Sequence, residues 1–142
     1  MKISENIPPF YVNLHLIIVY NNVDLVKEIR KPVEADLARF NEMFSESLRS
    51  SNPLLNLALE HLLQRKGKQM RPILVMLAAR GAGECGEVLG ANVLHAAIAL
   101  ELLHTASLVH DDIVDESDRR RGQKSVNSLL DNKAAVLVGD FL

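Results

Sequence analysis

Residues 91–115 read ANVLHAAIALELLHTASLVHDDIVD, from Ala91 to Asp115. The run contains neither glycine nor proline, and its apolar residues fall on nearly all sides of a helix. A helix of this kind is either a membrane span or the buried centre of a helical domain. The part from Ala91 to Val109 has the length of a span, but His95, Glu101 and His104 are costly in lipid. The buried centre is the better reading, with a helix from about Glu87 to Asp115, roughly 40 Å long at 1.5 Å per residue. The expected fold is therefore all-α, an antiparallel bundle around one very apolar helix.

Helical spacing continues on both sides. Val26, Ile29, Val33, Leu37, Phe40 and Phe44 recur at three- and four-residue steps, so Val23 to about Leu48 reads as an amphipathic helix that Pro32 kinks or restarts. Asn52 can cap the next helix with Pro53 at its first position. That helix carries Leu54, Leu55, Leu57, Leu59, Leu62 and Leu63 and stops at Gly67. Pro72 can open a further helix, Ile73 to about Arg80. Gly81 to Gly86 is a turn, Asp118 to Gln123 a charged loop, and helical pattern resumes at about Val126. No strand alternation and no internal repeat is visible.

Composition narrows the function classes. The 142 residues are 48% hydrophobic and 24% charged, which excludes wholesale disorder. The net charge of −2 carries no general nucleic-acid footprint. One cysteine, Cys85, excludes an internal disulfide framework and fits a reducing cytosol, so a cytoplasmic location is expected. The apolar run Phe10 to Tyr20 follows Pro8 and Pro9, lacks a cleavage site and is too short to span a bilayer. Residues 1–22 read as an N-terminal extension, and no transmembrane segment is expected.

The chemistry gathers at the end of the central helix. Asp111 and Asp115 share one face, in a stripe with His104 and Leu108. Acids at a helix C-terminus have the wrong sign for the macrodipole. Either a hard cation answers them, as Mg²⁺ bound by carboxylates and phosphate oxygens does, or nearby arginines neutralise a solvated acidic end. Lys68 and Arg71 flank a helix start, which suits a phosphate but is equally an exposed basic turn. Arg119-Arg120-Arg121-Gly122 can bind a diphosphate in bidentate fashion or can salt-bridge the aspartates.

Taken in order, Gly67-Lys68-Gln69-Met70-Arg71-Pro72, His104, Asp111-Asp112-Ile113-Val114-Asp115 and Arg120-Arg121-Gly122 resemble the trans-type isoprenyl diphosphate synthases, the polyprenyl synthetases. Asn132-Lys133 and Ala135 to Asp140 match the same pattern, and the resemblance runs from about Ile29 to Leu142. It implies an all-α prenyltransferase of the isoprenoid synthase type that condenses an allylic diphosphate with isopentenyl diphosphate and releases pyrophosphate. Carried over by residue, Asp111 and Asp115 would ligate Mg²⁺ with Asp112 in support, and Arg120 would contact the allylic diphosphate. Lys68, Arg71, His104 and Arg121 would hold isopentenyl diphosphate. Arg119 receives no role.

Ala106 and Ser107, five and four residues before Asp111, lie at the positions where a bulky residue blocks elongation in that family. Both are small, which points to a medium- or long-chain polyprenyl product, and a long product would favour membrane association. A homodimer is the expected assembly. The family carries a second aspartate-rich motif that these residues lack, so residues 23–142 are expected to be the N-terminal half of one larger, truncated domain. Such a piece should be inactive alone, and its uncovered apolar faces should drive self-association. The alternatives are a terpene cyclase, which has no second diphosphate for Lys68, Arg71 and His104 to hold, and a non-catalytic subunit, which has no need of Asp111, Asp115 and Arg120. A di-metal carboxylate oxidase needs two Glu-x-x-His pairs, and only Glu101 with His104 supplies one.

Overall fold

The computed structural model describes residues 25–64, 67–84, 86–120 and 122–142. The expected extension, residues 1–22, lies outside them, as do Cys85 and Arg121. The chain divides into two units, Met1–Lys31 and Pro32–Leu142. The described part of the first is α1, Leu25–Arg30, with Lys31 bonded to Glu28 on its surface.

A 3-10 turn, Lys31–Val33, contains Pro32 and leads into α2, Glu34–Ser47. The restart expected at Pro32 is therefore present, because proline removes an N–H that an unbroken helix would need. Helix α3 is Pro53–Leu63. Asn52 caps it as anticipated, its side chain accepting from the amides of Leu54 and Leu55, with Pro53 at the first position. It ends at Leu63, short of Gly67. Helix α4 runs Met70–Gly81 and α5 Ala91–Val114. A hairpin of two very short strands follows, β1 Arg119–Arg120 and β2 Gln123–Lys124. The chain closes with α6, Val126–Leu129, and α7, Asn132–Phe141.

The hairpin corrects the charged loop expected at 118–123. Arg119 pairs with Lys124 and Arg120 with Gln123 in an antiparallel ladder. Gly122 has a φ of 82°, a left-handed conformation that a side chain resists. Charge alone hid this strand pair, which is too short to show alternation.

Helix α5 is the hub of the second unit and packs on α2, α4, α6 and α7. Phe40 of α2, Ile73 and Met76 of α4, and Leu94 and Ala97 of α5 are fully buried. Nearer the C-terminal end of α5, Val109 joins Ala58, Val126, Ala135 and Val138 in a cluster drawn from α3, α5, α6 and α7. The expectation of an all-round buried α5 is only partly met. Leu103 remains 69% and Leu100 41% exposed, because no described element covers that face. By length and composition α5 could cross a membrane, yet its buried stripe is committed to four other helices.

One buried carboxylate sets the start of α5. Asp36, 1% exposed, accepts from the Leu89 amide at 2.7 Å and from Arg80 Nη2 at 2.8 Å. Arg80 also donates to the carbonyls of Glu84, Gly86 and Glu87, and Arg39 donates to the Leu89 carbonyl at 2.9 Å. The connection between α4 and α5 is thus tied to α2 through one acid and two arginines. Replacing Asp36 by Ala strands the Arg80 guanidinium and a buried amide. The expected loss of stability is about 3 kcal/mol, with a smaller loss for Asp36→Asn, which still accepts from Leu89. Urea unfolding of the two variants measures the difference, and equal losses would contradict this account.

Candidate active site

Helix α5 ends on three acids that face different ways. Asp112 is 2% exposed, and its Oδ1 accepts from Arg120 Nε at 2.7 Å. Asp111 and Asp115 are exposed, and among the described residues neither side chain makes a hydrogen bond or ion pair. The split follows from helical geometry, since Asp111 and Asp115 share a face and Asp112 lies about 100° round the axis.

The backbone beyond α5 turns so that Arg120 can return. Glu116 N–H donates to the Ile113 carbonyl at 3.2 Å and Ser117 N–H to the Asp112 carbonyl at 2.8 Å. This is a Schellman stop with Glu116 at the left-handed position, φ 50°, where glycine is usual. Buried Ser125 then closes the loop: its hydroxyl donates to the Ser117 carbonyl at 2.6 Å and its amide to the Asp118 carbonyl at 2.9 Å. From the other side, His61 Nε2 of α3 donates to the Lys124 carbonyl at 2.7 Å. His61 and Ser125 were not singled out from the sequence. Neither stands in a recognisable motif, and only the fold brings them to the hairpin.

Lys68 and Arg71 are exposed at the N-terminal end of α4, where Gln69 sits at φ 54° and donates to Asn41 Oδ1 at 2.6 Å. Neither cation makes an ion pair among the described residues. Residues 82–90 connect α4 to α5, and the two helices pack on each other. His104 is half-buried on α5, two turns before Asp111. Arg121 lies outside the described residues.

An apolar cleft of about 500 Å³ opens alongside. Leu103, Ala106, Ser107 and His110 of α5 line it, with Gly139 of α7 and Leu142 opposite. The two small residues picked out from the sequence therefore line open apolar space. His110, Gly139 and Leu142 are further lining residues that the sequence reading did not single out, although His110 stands directly before Asp111.

Comparison with known proteins decides the family. The model for polyprenyl synthetase matches residues 52–142. The chain belongs to the polyprenyl synthetase family. It is 42% identical over 123 residues to the all-trans-nonaprenyl-diphosphate synthase (geranyl-diphosphate specific) of Rhodobacter capsulatus, covering 84% of this chain and 36% of that protein. The octaprenyl diphosphate synthase of Escherichia coli is 41% identical over 117 residues, covering 82% of this chain and 35% of that one. The polyprenyl synthase of Caulobacter crescentus, solved with calcium and isoprenyl diphosphate, superposes with a TM-score of 0.74 at 35% identity, covering 82% of this chain and 34% of that one. The decaprenyl diphosphate synthase of Rhodobacter capsulatus gives a TM-score of 0.74 at 38% identity, covering 82% and 35%. The chain thus spans about a third of the length of the relatives it matches, and the all-α fold of the isoprenoid synthases is the fold it shares.

The split among the acids has a measurable consequence. Asp112→Ala leaves Arg120 without its buried partner and should cost about 2 kcal/mol. Asp111→Asn removes an exposed charge of the wrong sign at a helix C-terminus, and should fall within about 0.5 kcal/mol of the parent on the stabilising side. Chemical denaturation of both variants checks the pair, and a large loss for Asp111→Asn would refute it.

Proposed function

We propose that this chain supplies the first aspartate-rich part of a prenyltransferase that joins an allylic diphosphate to isopentenyl diphosphate, head to tail, and builds a medium- or long-chain polyprenyl diphosphate. The observation that carries the reading is the outward pair Asp111 and Asp115 beside Arg120, with an apolar cleft running past Ala106 and Ser107. Residues 23–142 would form the N-terminal part of one larger all-α domain, about a third of the relatives' length and so less than the half expected from the motifs, with residues 1–22 an extension.

The donor set suits Mg²⁺. Two exposed carboxylates on one helix face offer oxygen ligands and leave room for waters and diphosphate oxygens, the arrangement this ion prefers. When bound, Mg²⁺ supplies positive charge to the departing diphosphate. Asp112 acts differently: with its Oδ1 committed to Arg120, it supports the site by fixing that guanidinium. Arg120 would meet the allylic diphosphate through its Nη groups as charge develops on it.

Lys68, Arg71, His104 and Arg121 would hold isopentenyl diphosphate for attack on the allylic cation. Once covered, the apolar wall of α5 would exclude water that would otherwise quench that cation. The growing chain would lie in the cleft, where Ala106 and Ser107 leave it room. A cytoplasmic homodimer is the assembly we propose, and a long product would bring it to membranes. The exposed Leu100, Leu103, Leu137 and Phe141 support association of some kind. The relatives reported above are named as synthases, which favours this reading over a cyclase or a non-catalytic subunit.

Transfer of labelled isopentenyl diphosphate to geranyl or farnesyl diphosphate in the presence of Mg²⁺, by the full-length domain this reading proposes, tests it. Asp111→Asn or Asp115→Asn should each lower kcat by at least about 100-fold, and Ala106→Phe should shorten the product. The 142 residues alone hold one aspartate-rich motif and should turn over negligibly. A clean C15 product would contradict the chain-length reading, and full activity without Asp111 would contradict the site.

A further inference from the structure

His110 stands one residue before Asp111 and reaches across to α7. Its ring lies on the backbone of buried Gly139: a Cβ added at Gly139 would come within 2.7 Å of His110 Cδ2 and 2.9 Å of Cε1, and closer still to Nε2. These separations are shorter than side-chain contacts tolerate, so the bare glycine is what admits the imidazole. Nε2 also lies 3.4 Å from the Val136 carbonyl and 3.4 Å from Asp140 Oδ1. The ring is thus placed against one turn of α7 by shape, with two long polar contacts at its edge.

Both partners of this contact line the apolar cleft, together with Ala106, Ser107 and Leu142. His110 follows Ala106 by four residues, so the two side chains stack on one face of α5, with His110 nearer the aspartate end. The gap between α5 and α7 is therefore spanned, at the end of the cleft nearer the aspartates along α5, by one imidazole seated on one glycine.

We propose that the His110–Gly139 contact is a specificity-determining element, in which the glycine lets the ring lie back against α7 and so sets the width of the cleft where the prenyl chain enters it. The proposal rests on the prenyltransferase reading above. It adds a determinant on α7 to the small pair Ala106 and Ser107 on α5. The side of the cleft away from α5 then contributes to product length through the space a single hydrogen atom leaves.

Gly139→Ala, His110→Ala and the double variant test it in the active enzyme, with product length read by chromatography of the dephosphorylated products. Gly139→Ala should drive the ring into the cleft and shorten the mean product by at least one isoprene unit. The double variant should return the product to parental length or beyond, since no ring remains to be displaced. Parental product length from Gly139→Ala would overturn the proposal, as would a shortening that persists in the double variant. If Gly139→Ala does not fold, His110→Phe puts a larger ring on the same glycine and is expected to shorten the product likewise, with an unchanged product counting against the proposal. A parent enzyme that makes no prenyl product would refute the prenyltransferase reading itself. In that case thermal unfolding of the same variants still reads the contact: the penalty of Gly139→Ala should largely vanish in the His110→Ala background, and additive losses would overturn the contact as well.

Discussion

The ion pair between Asp112 and Arg120 is the constraint on which the site depends. A carboxylate at the C-terminal end of α5 faces the negative end of the helix dipole, and Asp112 is also withdrawn from water. Such a group is tolerable only if a cation reaches it. Arg120 meets that need, but only because the chain reverses within eight residues. The left-handed Glu116, the buried Ser125 hydroxyl and the His61 bond to Lys124 each contribute to that reversal. The hairpin is thus held by a charge requirement beside its turn and by hydrogen bonds from Ser125 and His61 at its base. A consequence is that the arginine offered to solvent next to Asp111 and Asp115 has one nitrogen already fixed, so less freedom is lost when its remaining donors meet an anion.

The opposite end of α5 obeys a similar logic with different partners. Asp36 gathers Arg80 and the Leu89 amide, and Arg80 in turn gathers three carbonyls of the connection between α4 and α5. Two buried acids, one at each end, therefore position a helix whose middle is held by apolar packing. The apolar contacts fix which face turns inward. The acids fix where the helix begins and how the chain leaves it. The exposed stripe from Ala99 through Leu103 to His110 is what remains, and together with Gly139 and Leu142 it forms the cleft.

How much of this was legible in the sequence depends on whether the signal was local. The helices of α2, α3 and α5 follow from spacing, and the Asn52 cap and the restart at Pro32 follow from local stereochemistry. Asp111, Asp115, Lys68 and Arg71 stand out because their motif is compact and ordered along the chain, and each is found on a surface where it can meet a ligand. The long-range contacts left no such trace. Asp36 looks like an ordinary first-turn acid, and Arg80 like an ordinary last-turn cation, and they lie 44 residues apart. The hairpin at 119–124 was masked by its charges, and the three acids of the motif could not be sorted into inward and outward members without knowing where Arg120 returns. Pattern reading also overestimated how far α5 would be covered, because an apolar helix that lines a ligand cleft has the same composition as one that is wholly buried.

That last ambiguity bears on the chemistry. A cleft for an apolar chain must be unfilled by the protein, so its walls present exposed leucines and small residues where a packed core would present neither. The outward aspartates are the polar counterpart of the same condition. Each has no side-chain partner among the described residues and stands at a helix end where the backbone itself repels it. Pairing Asp111 and Asp115 with arginines would stabilise the helix end and remove its attraction for a metal–diphosphate complex. Filling the cleft with a bulky side chain would stabilise α5 and remove the space for product. Both features lie on the C-terminal half of α5, so one stretch of helix carries both deficits, and the ligand proposed above, with a charged diphosphate head and an apolar tail, would compensate both at once.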